Sequence, residues 1–154
     1  MNKLNDQKWM KLAWLKSQES ACKRTKVGCV LIYNPVGFKI QSDVVAHQEE
    51  ATNGLECTDK TCLREEVKSG EAIDLCRGLH AEQRAIVAMG SDGCEDGIMY
   101  VTHLPCTFCA RLIIAVGIKE VIFDRLWGNS SITLGIFAEA GVKVRCIHDG
   151  GTSK

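Results

Sequence analysis

The stretch Met99–Phe123, MYVTHLPCTFCARLIIAVGIKEVIF, decides the fold. Its opening, Met99–Thr102, is apolar or β-branched and reads as a short strand. Pro105 suits a helix entry, because the N–H it lacks would have no partner in a first turn. Cys106–Val116 reads as a helix that Gly117 ends, and Glu120–Phe123 as a second strand. Strand, helix and strand in that order form a parallel crossover, the unit of an α/β sheet covered by helices.

The pattern continues on both sides. His80–Met89 is predicted helical and Gly90–Gly97 a loop. Ser131–Ala140 is a helix with Ser at its start and Gly141 past its end, and Val142–Ile147 is a last strand. Upstream, Asp6–Gln18 carries a broad apolar face, and Val27–Tyr33 is a strand closed by the turn Asn34-Pro35-Val36-Gly37. Phe38–Ala46 is its expected hairpin partner. Gln48–Gly78 turns polar and cysteine-rich without any period, so it reads as a long insertion that something must pin. With no repeat and no linker, one α/β domain across residues 1–154 is expected.

Composition excludes several classes. The 154 residues are 45% hydrophobic and 25% charged, ordinary globular proportions that rule out a fibre or a disordered tail. Lys+Arg and Asp+Glu both number 19, so no net charge draws the chain to nucleic acid or an anionic membrane. The longest apolar run, near Leu112–Val116, is far too short to span a bilayer, and Met1–Asp6 lacks a signal-like apolar core. A soluble cytoplasmic protein is the expectation. Nine cysteines in such a chain argue for metal ligation or catalysis rather than a disulfide framework. Cys29, Cys94 and Cys146 stand alone and are expected to act as small buried hydrophobes.

Two short motifs carry the chemistry: His80-Ala81-Glu82 and Pro105-Cys106-Thr107-Phe108-Cys109, each opening a predicted helix. Cys106-x-x-Cys109 alone would also suit a thiol redox pair. With His80, the two thiols at i and i+3 supply three ligands of a tetrahedral zinc and leave a fourth position for water. Two thiolates and a neutral imidazole balance the charge of the ion, and helix N-termini favour thiolates. Glu82 is two residues beyond His80, so it cannot share that face. It is free to stand beside the metal as a proton carrier.

The pattern His-x-Glu…Pro-Cys-x-x-Cys is the signature known for zinc base deaminases. Cys76-Arg77-Gly78-Leu79-His80-Ala81-Glu82-Gln83-Arg84-Ala85-Ile86 resembles the deoxycytidylate (dCMP) deaminase family. Cys22–Gly28, Cys62-Leu63-Arg64, Tyr100-Val101-Thr102 and Ile113–Ile118 extend the resemblance over about residues 8–148. It implies a cytidine-deaminase-like three-layer α/β/α sandwich with a five-stranded mixed sheet, assembled as a homo-oligomer. It implies a catalytic zinc on His80, Cys106 and Cys109, a proton shuttle at Glu82, and a base-orienting N–H at Ala81. The implied reaction converts dCMP to dUMP and ammonia; guanine and tRNA adenosine are alternative substrates of the same chemistry, and a non-catalytic zinc or thiol module is a third reading. The family's Gly-Tyr-Asn-Gly segment has no counterpart here, where Ser42–Gln48 stand instead.

Two sets stay open on the sequence. Arg24 and Lys26 are either contacts for a 5′-phosphate or solvated surface cations. Cys22, Cys57, Cys62 and Cys76 are either free thiols or a second, structural zinc site that staples the insertion.

Overall fold

The computed structural model describes residues 3–33, 42–47, 49–50, 62–128 and 130–148. In chain order the elements begin with α1 (Lys3–Ser17), β1 (Gly28–Tyr33), β2 (Ser42–His47) and β3 (Glu49–Glu50). A 3₁₀ turn (Ile73–Leu75), β4 (Gly78–Leu79), α2 (Ala81–Met89), α3 (Ser91–Cys94) and β5 (Ile98–His103) follow. The chain then runs through α4 (Thr107–Ala115), β6 (Glu120–Arg125), α5 (Ser130–Ala140) and β7 (Lys143–Cys146).

Five strands form one mixed sheet in the order β2-β1-β5-β6-β7. The β1–β2 hairpin and the β1–β5 pair are antiparallel, whereas β5–β6 and β6–β7 are parallel. The crossover read from Met99–Phe123 is therefore real. Its helix ends where the sequence places the stop: Gly117 has φ 78°, Ile118 N–H donates to Ile113 O at 3.2 Å, and Gly117 N–H donates to Ile114 O at 3.1 Å. Those two bonds satisfy carbonyls that a helix end leaves over.

Strands β1, β5 and β6 alternate, and each face has its own helices. Cys29, Leu31, Met99, Val101, Val121 and Phe123 turn to α2, α4 and α5, where Ala85, Ile113 and Phe137 pack on them. Val30, Ile32, Tyr100 and Ile122 turn to α1, against Met10 and Ala13. Period-two alternation with both faces apolar is what a central strand between two helical layers requires. The three-layer α/β/α sandwich with a five-stranded mixed sheet is thus the fold. Gly28 lets α1 press directly on β1, since a Cβ there would lie 2.7 Å from Ser17 N.

Some expectations shift. The hairpin partner is Ser42–His47, with residues 34–41 outside the described set. The expected loop after α2 contains the single turn α3, with Gly90 at its cap position and Asp92 in its first turn. Cys29 and Cys94 are buried, but Cys146 is exposed on β7, which among the described residues is the outermost strand on that side of the sheet. The insertion is framed by a separate two-stranded ladder, Glu49 opposite Leu79 and Glu50 opposite Gly78, which delivers the chain to His80. Among the described residues no helix is long and apolar enough to cross a membrane.

Candidate metal and catalytic centre

His80 and Cys106 occupy the same position in two neighbouring units, the residue immediately before a helix. His80 precedes α2 in extended conformation (φ −65°, ψ 153°), and Cys106 precedes α4 likewise (φ −71°, ψ 169°). Gln83, three residues into the helix, accepts the His80 N–H at 2.9 Å on Oε1, which holds the entry and the ring direction. At the second entry Cys109 is three residues beyond Cys106, so its thiol returns over the start of the helix beside the Cys106 thiol. The Cys29 thiol donates to Ala81 O at 3.4 Å, tying the start of α2 to the central strand β1. Ala81 is fully buried, and its N–H belongs to the helix-start donors that no intrahelical carbonyl reaches.

Three donor atoms converge as a result. His80 Nδ1 lies 3.3 Å from Cys109 Sγ and 3.6 Å from Cys106 Sγ, and all three ligand atoms fall within 4.8 Å of one another. Zinc–sulfur bonds of about 2.3 Å and zinc–nitrogen bonds of about 2.0–2.1 Å at a tetrahedral angle subtend an N···S edge of roughly 3.6 Å. The donor set therefore fits a zinc ion in both chemistry and spacing. Among the described residues this is the one group of three His, Cys or acidic side chains gathered so closely.

The three donor groups share protons among themselves. The Cys109 hydrogen bond and the His80 imidazole outweigh burial and pull the Cys106 thiol down to about 4. Cys109 goes the other way, pushed well up by the Cys106 thiolate it serves and by its own burial. Burial opposes charge on His80, yet hydrogen bonds from Cys106 and Cys76 lift the imidazole to about 10. One proton-sharing cluster of this kind exchanges its protons for a metal readily.

Glu82 lies beside the ligands and belongs to none of them. It is 4% exposed, and its Oε2 is buried with no hydrogen-bond partner among the described residues. Burial lifts its carboxyl to about 7, with His80 drawing it down and Cys106 pushing it up. A buried carboxylate oxygen left unpaired is costly, and such groups concentrate at sites where a ligand completes them.

His80, Glu82 and Cys106 open into a cavity of about 200 Å³ at the C-terminal ends of the parallel strands, the usual crevice of an open α/β sheet. Arg24 and Lys26 separate here. Arg24 reaches the cavity wall, but its guanidinium donates to the carbonyls of Arg64, Glu65 (3.3 Å) and Val67 (2.7 Å). Arg64 in turn donates to Glu71 O at 2.9 and 3.2 Å, so two arginines staple residues 64–71 as one wall of the cavity. Lys26 instead meets Gln18 O at 3.4 Å, away from the cavity. Cys22, Cys62 and Cys76 all line the cavity without forming a three-donor group, and Cys57 lies outside the described residues. His103 and Trp127 are wall residues that the motif-based reading missed. His103 stands three positions before Cys106, close enough for sequence proximity to have flagged it.

The comparisons bear on the same residues. The family described as "Cytidine and deoxycytidylate deaminase zinc-binding region" matches residues 3–125, which include every ligand and Glu82. Deoxycytidylate deaminase of Schizosaccharomyces pombe is 33% identical over 143 residues, covering 91% of this chain and 43% of that protein. The human deoxycytidylate deaminase is 30% identical over 151 residues, covering 89% of this chain and 76% of its own. The chain thus spans less than half the length of the fission-yeast relative but most of the human one. The crystal structure of dCMP deaminase from cyanophage S-TIM5 in complex with dCMP and dUMP superposes with a TM-score of 0.73 at 27% identity, covering 96% of this chain and 99% of that one. A profile match across four-fifths of the sequence, on a donor set that suits zinc, means that the chain belongs to the cytidine and deoxycytidylate deaminase zinc-binding family.

Proposed function

We propose that the chain is a zinc-dependent hydrolytic deaminase of a pyrimidine nucleotide, converting dCMP and water to dUMP and ammonia. The observation that carries this reading is the pairing, in one cavity, of a three-donor metal group with a buried carboxyl whose Oε2 is unpartnered. His80 Nδ1, Cys106 Sγ and Cys109 Sγ would hold the metal. A zinc bound by three protein ligands lowers the pKa of water in its open position and so supplies a nucleophile near neutral pH.

The chain's own part is proton movement and exclusion of solvent. Glu82 accepts a proton from the attacking water at Oε2 and delivers it to the ring nitrogen next to the reacting carbon. It then takes the remaining proton of the added hydroxyl and passes it to the amine, which leaves as ammonia while the carbonyl forms. Glu82 is buried beside the ligands with Oε2 unpartnered among the described residues, so it is placed to take and return a proton at the reacting centre. The buried Ala81 N–H orients the base at the helix start.

The nucleotide assignment rests on relatives named as deoxycytidylate deaminases and on the cyanophage enzyme seen with dCMP and dUMP. Arg24, Arg64 and Arg77 are the guanidinium groups of the cavity wall, and a 5′-phosphate contact is assigned to that group rather than to Lys26, which meets Gln18 O outside it. A homo-oligomer in a reducing cytoplasm belongs to the same proposal. The exposed apolar side chains Val87 and Ile132 are of the kind a subunit interface covers, and the described cysteines are free thiols.

Ammonia release from a panel of dCMP, deoxycytidine, guanine and adenosine tests the reading. dCMP is expected to give the highest kcat/KM. Release from guanine or adenosine alone moves the chain to another branch of the chemistry, and no release from a zinc-loaded protein leaves the non-catalytic reading.

A further inference from the structure

Thr102 and His103 sit at the end of β5, where the strand opens into the cavity. Thr102 is fully buried, and its Oγ1 is engaged twice. It accepts the Gly28 N–H at 3.3 Å and lies 3.0 Å from His103 Nδ1. A threonine hydroxyl has one hydrogen to give. Were His103 Nδ1 protonated, Oγ1 would accept both bonds, and its own buried hydrogen would have no acceptor among the described residues. The arrangement that satisfies every atom sends the Thr102 hydrogen to Nδ1, which leaves the His103 proton on Nε2.

The ring is also held in place and kept neutral. Trp14 meets it edge-on, with centroids 5.5 Å apart and an interplanar angle of 63°. Burial and the Arg125 guanidinium push the imidazole below its usual value, against a weaker pull from Asp124. With Nδ1 committed to Thr102, the Nε2–H is the free donor edge of a ring in the cavity wall, and no partner for it occurs among the described residues.

We propose that His103 is a specificity-determining residue that binds the nucleotide as a neutral donor, its Nε2–H meeting an uncharged oxygen acceptor. Two atoms of a deoxycytidine nucleotide offer that chemistry, the 2-carbonyl of the base and the 3′-hydroxyl of the sugar. A fixed neutral donor favours such an oxygen: at the 2-carbonyl it discriminates against a base with an amine in that place, and at the 3′-hydroxyl it selects the sugar. This inference rests on the nucleotide reading given above. It assigns His103 a role in binding and none in proton transfer.

The test compares His103→Phe, which keeps the ring shape and removes the donor, with His103→Gln, which keeps a donor near the Nε2 position. On dCMP, His103→Phe is expected to raise KM about 3- to 10-fold, with kcat within about twofold and zinc content unchanged, and His103→Gln to recover most of the loss. The pair repeated on 2′,3′-dideoxycytidine monophosphate separates the acceptors: the penalty vanishes if the 3′-hydroxyl is the partner and persists if the base carbonyl is. In the wild-type protein, ¹⁵N NMR of labelled histidines is expected to find His103 in the Nε2–H form, with that resonance moving when dUMP is added. An Nδ1–H tautomer, an unchanged KM in His103→Phe, or a loss of kcat and zinc accompanying the rise in KM would overturn the proposal. A wild-type protein inactive on dCMP would overturn the nucleotide reading first and this proposal with it, so the two failures are distinct.

Discussion

The two faces of the central sheet bury an acid equally deeply and treat it oppositely. Asp6 on α1 and Glu82 on α2 are each 4% exposed. Asp6 is fully engaged: Tyr100 donates its hydroxyl to Oδ1 at 2.7 Å, and Arg145 donates to Oδ2 at 3.0 Å while its Nε donates to Glu120 at 2.6 Å. Glu82 has an Oε2 with no partner among the described residues and a carboxyl raised to about 7. On the α1 face, buried charge is neutralised inside the fold. On the α2/α4 face it is left for something that arrives later. The difference locates function better than burial does, because a stable fold has no reason to leave a buried carboxylate oxygen unpaired.

Removing the acid on the α1 face should show the cost of a finished network. Asp6→Ala strips a buried carboxylate from Tyr100 and Arg145 and is expected to cost roughly 3 kcal/mol in urea unfolding, while the folded fraction keeps its kcat. Loss of turnover without loss of stability would mean that the two faces are not separate in role.

On the other face the sign reverses. A carboxyl raised by burial from 4.5 to about 7 keeps its proton in the native state after the unfolded chain has released it. Stability therefore declines as pH rises from about 4.5 to 7 and stays lower above that. In chelator-treated protein, Glu82→Gln is expected to unfold at higher urea than the wild type at pH 8, with the gap closing towards pH 5. An equal or lower midpoint at pH 8 would show that Glu82 is satisfied after all.

A smaller effect appears at alkaline pH. Burial, and then the hydrogen bond to Asp6, raise the Tyr100 hydroxyl above its usual value near 10. The unfolded chain ionises there while the native one does not, so stability is lost as pH climbs past 10, by about 1.4 kcal/mol at pH 11. Tyr100→Phe should abolish that increment between pH 9 and 11. An identical alkaline slope in both proteins would remove Tyr100 from the network.

What the sequence reveals follows from the range of the forces involved. The crossover Met99–Phe123 is legible because its signals are local: a short β-branched run, a Pro, and a Gly at the stop. The ligand set is legible because the thiol spacing and the helix starts are also local features. The cap positions of His80 and Cys106 emerge only with the backbone, since a helix boundary is set by which residue first turns extended. Arg24 illustrates the limit. Forty residues separate it from the Arg64 carbonyl it holds, and no periodicity carries that information. The Asp6–Arg145 pair, 139 residues apart, is hidden for the same reason.

The central claim is that the cavity acid, and not the fold around it, performs the chemistry. Glu82→Gln tests this most directly, with zinc content and dCMP turnover measured on one purified sample. An amide of the same shape cannot accept the water's proton, so turnover should fall about 10²–10⁴-fold while zinc stays at the wild-type level. Near-wild-type turnover with zinc in place would contradict the account.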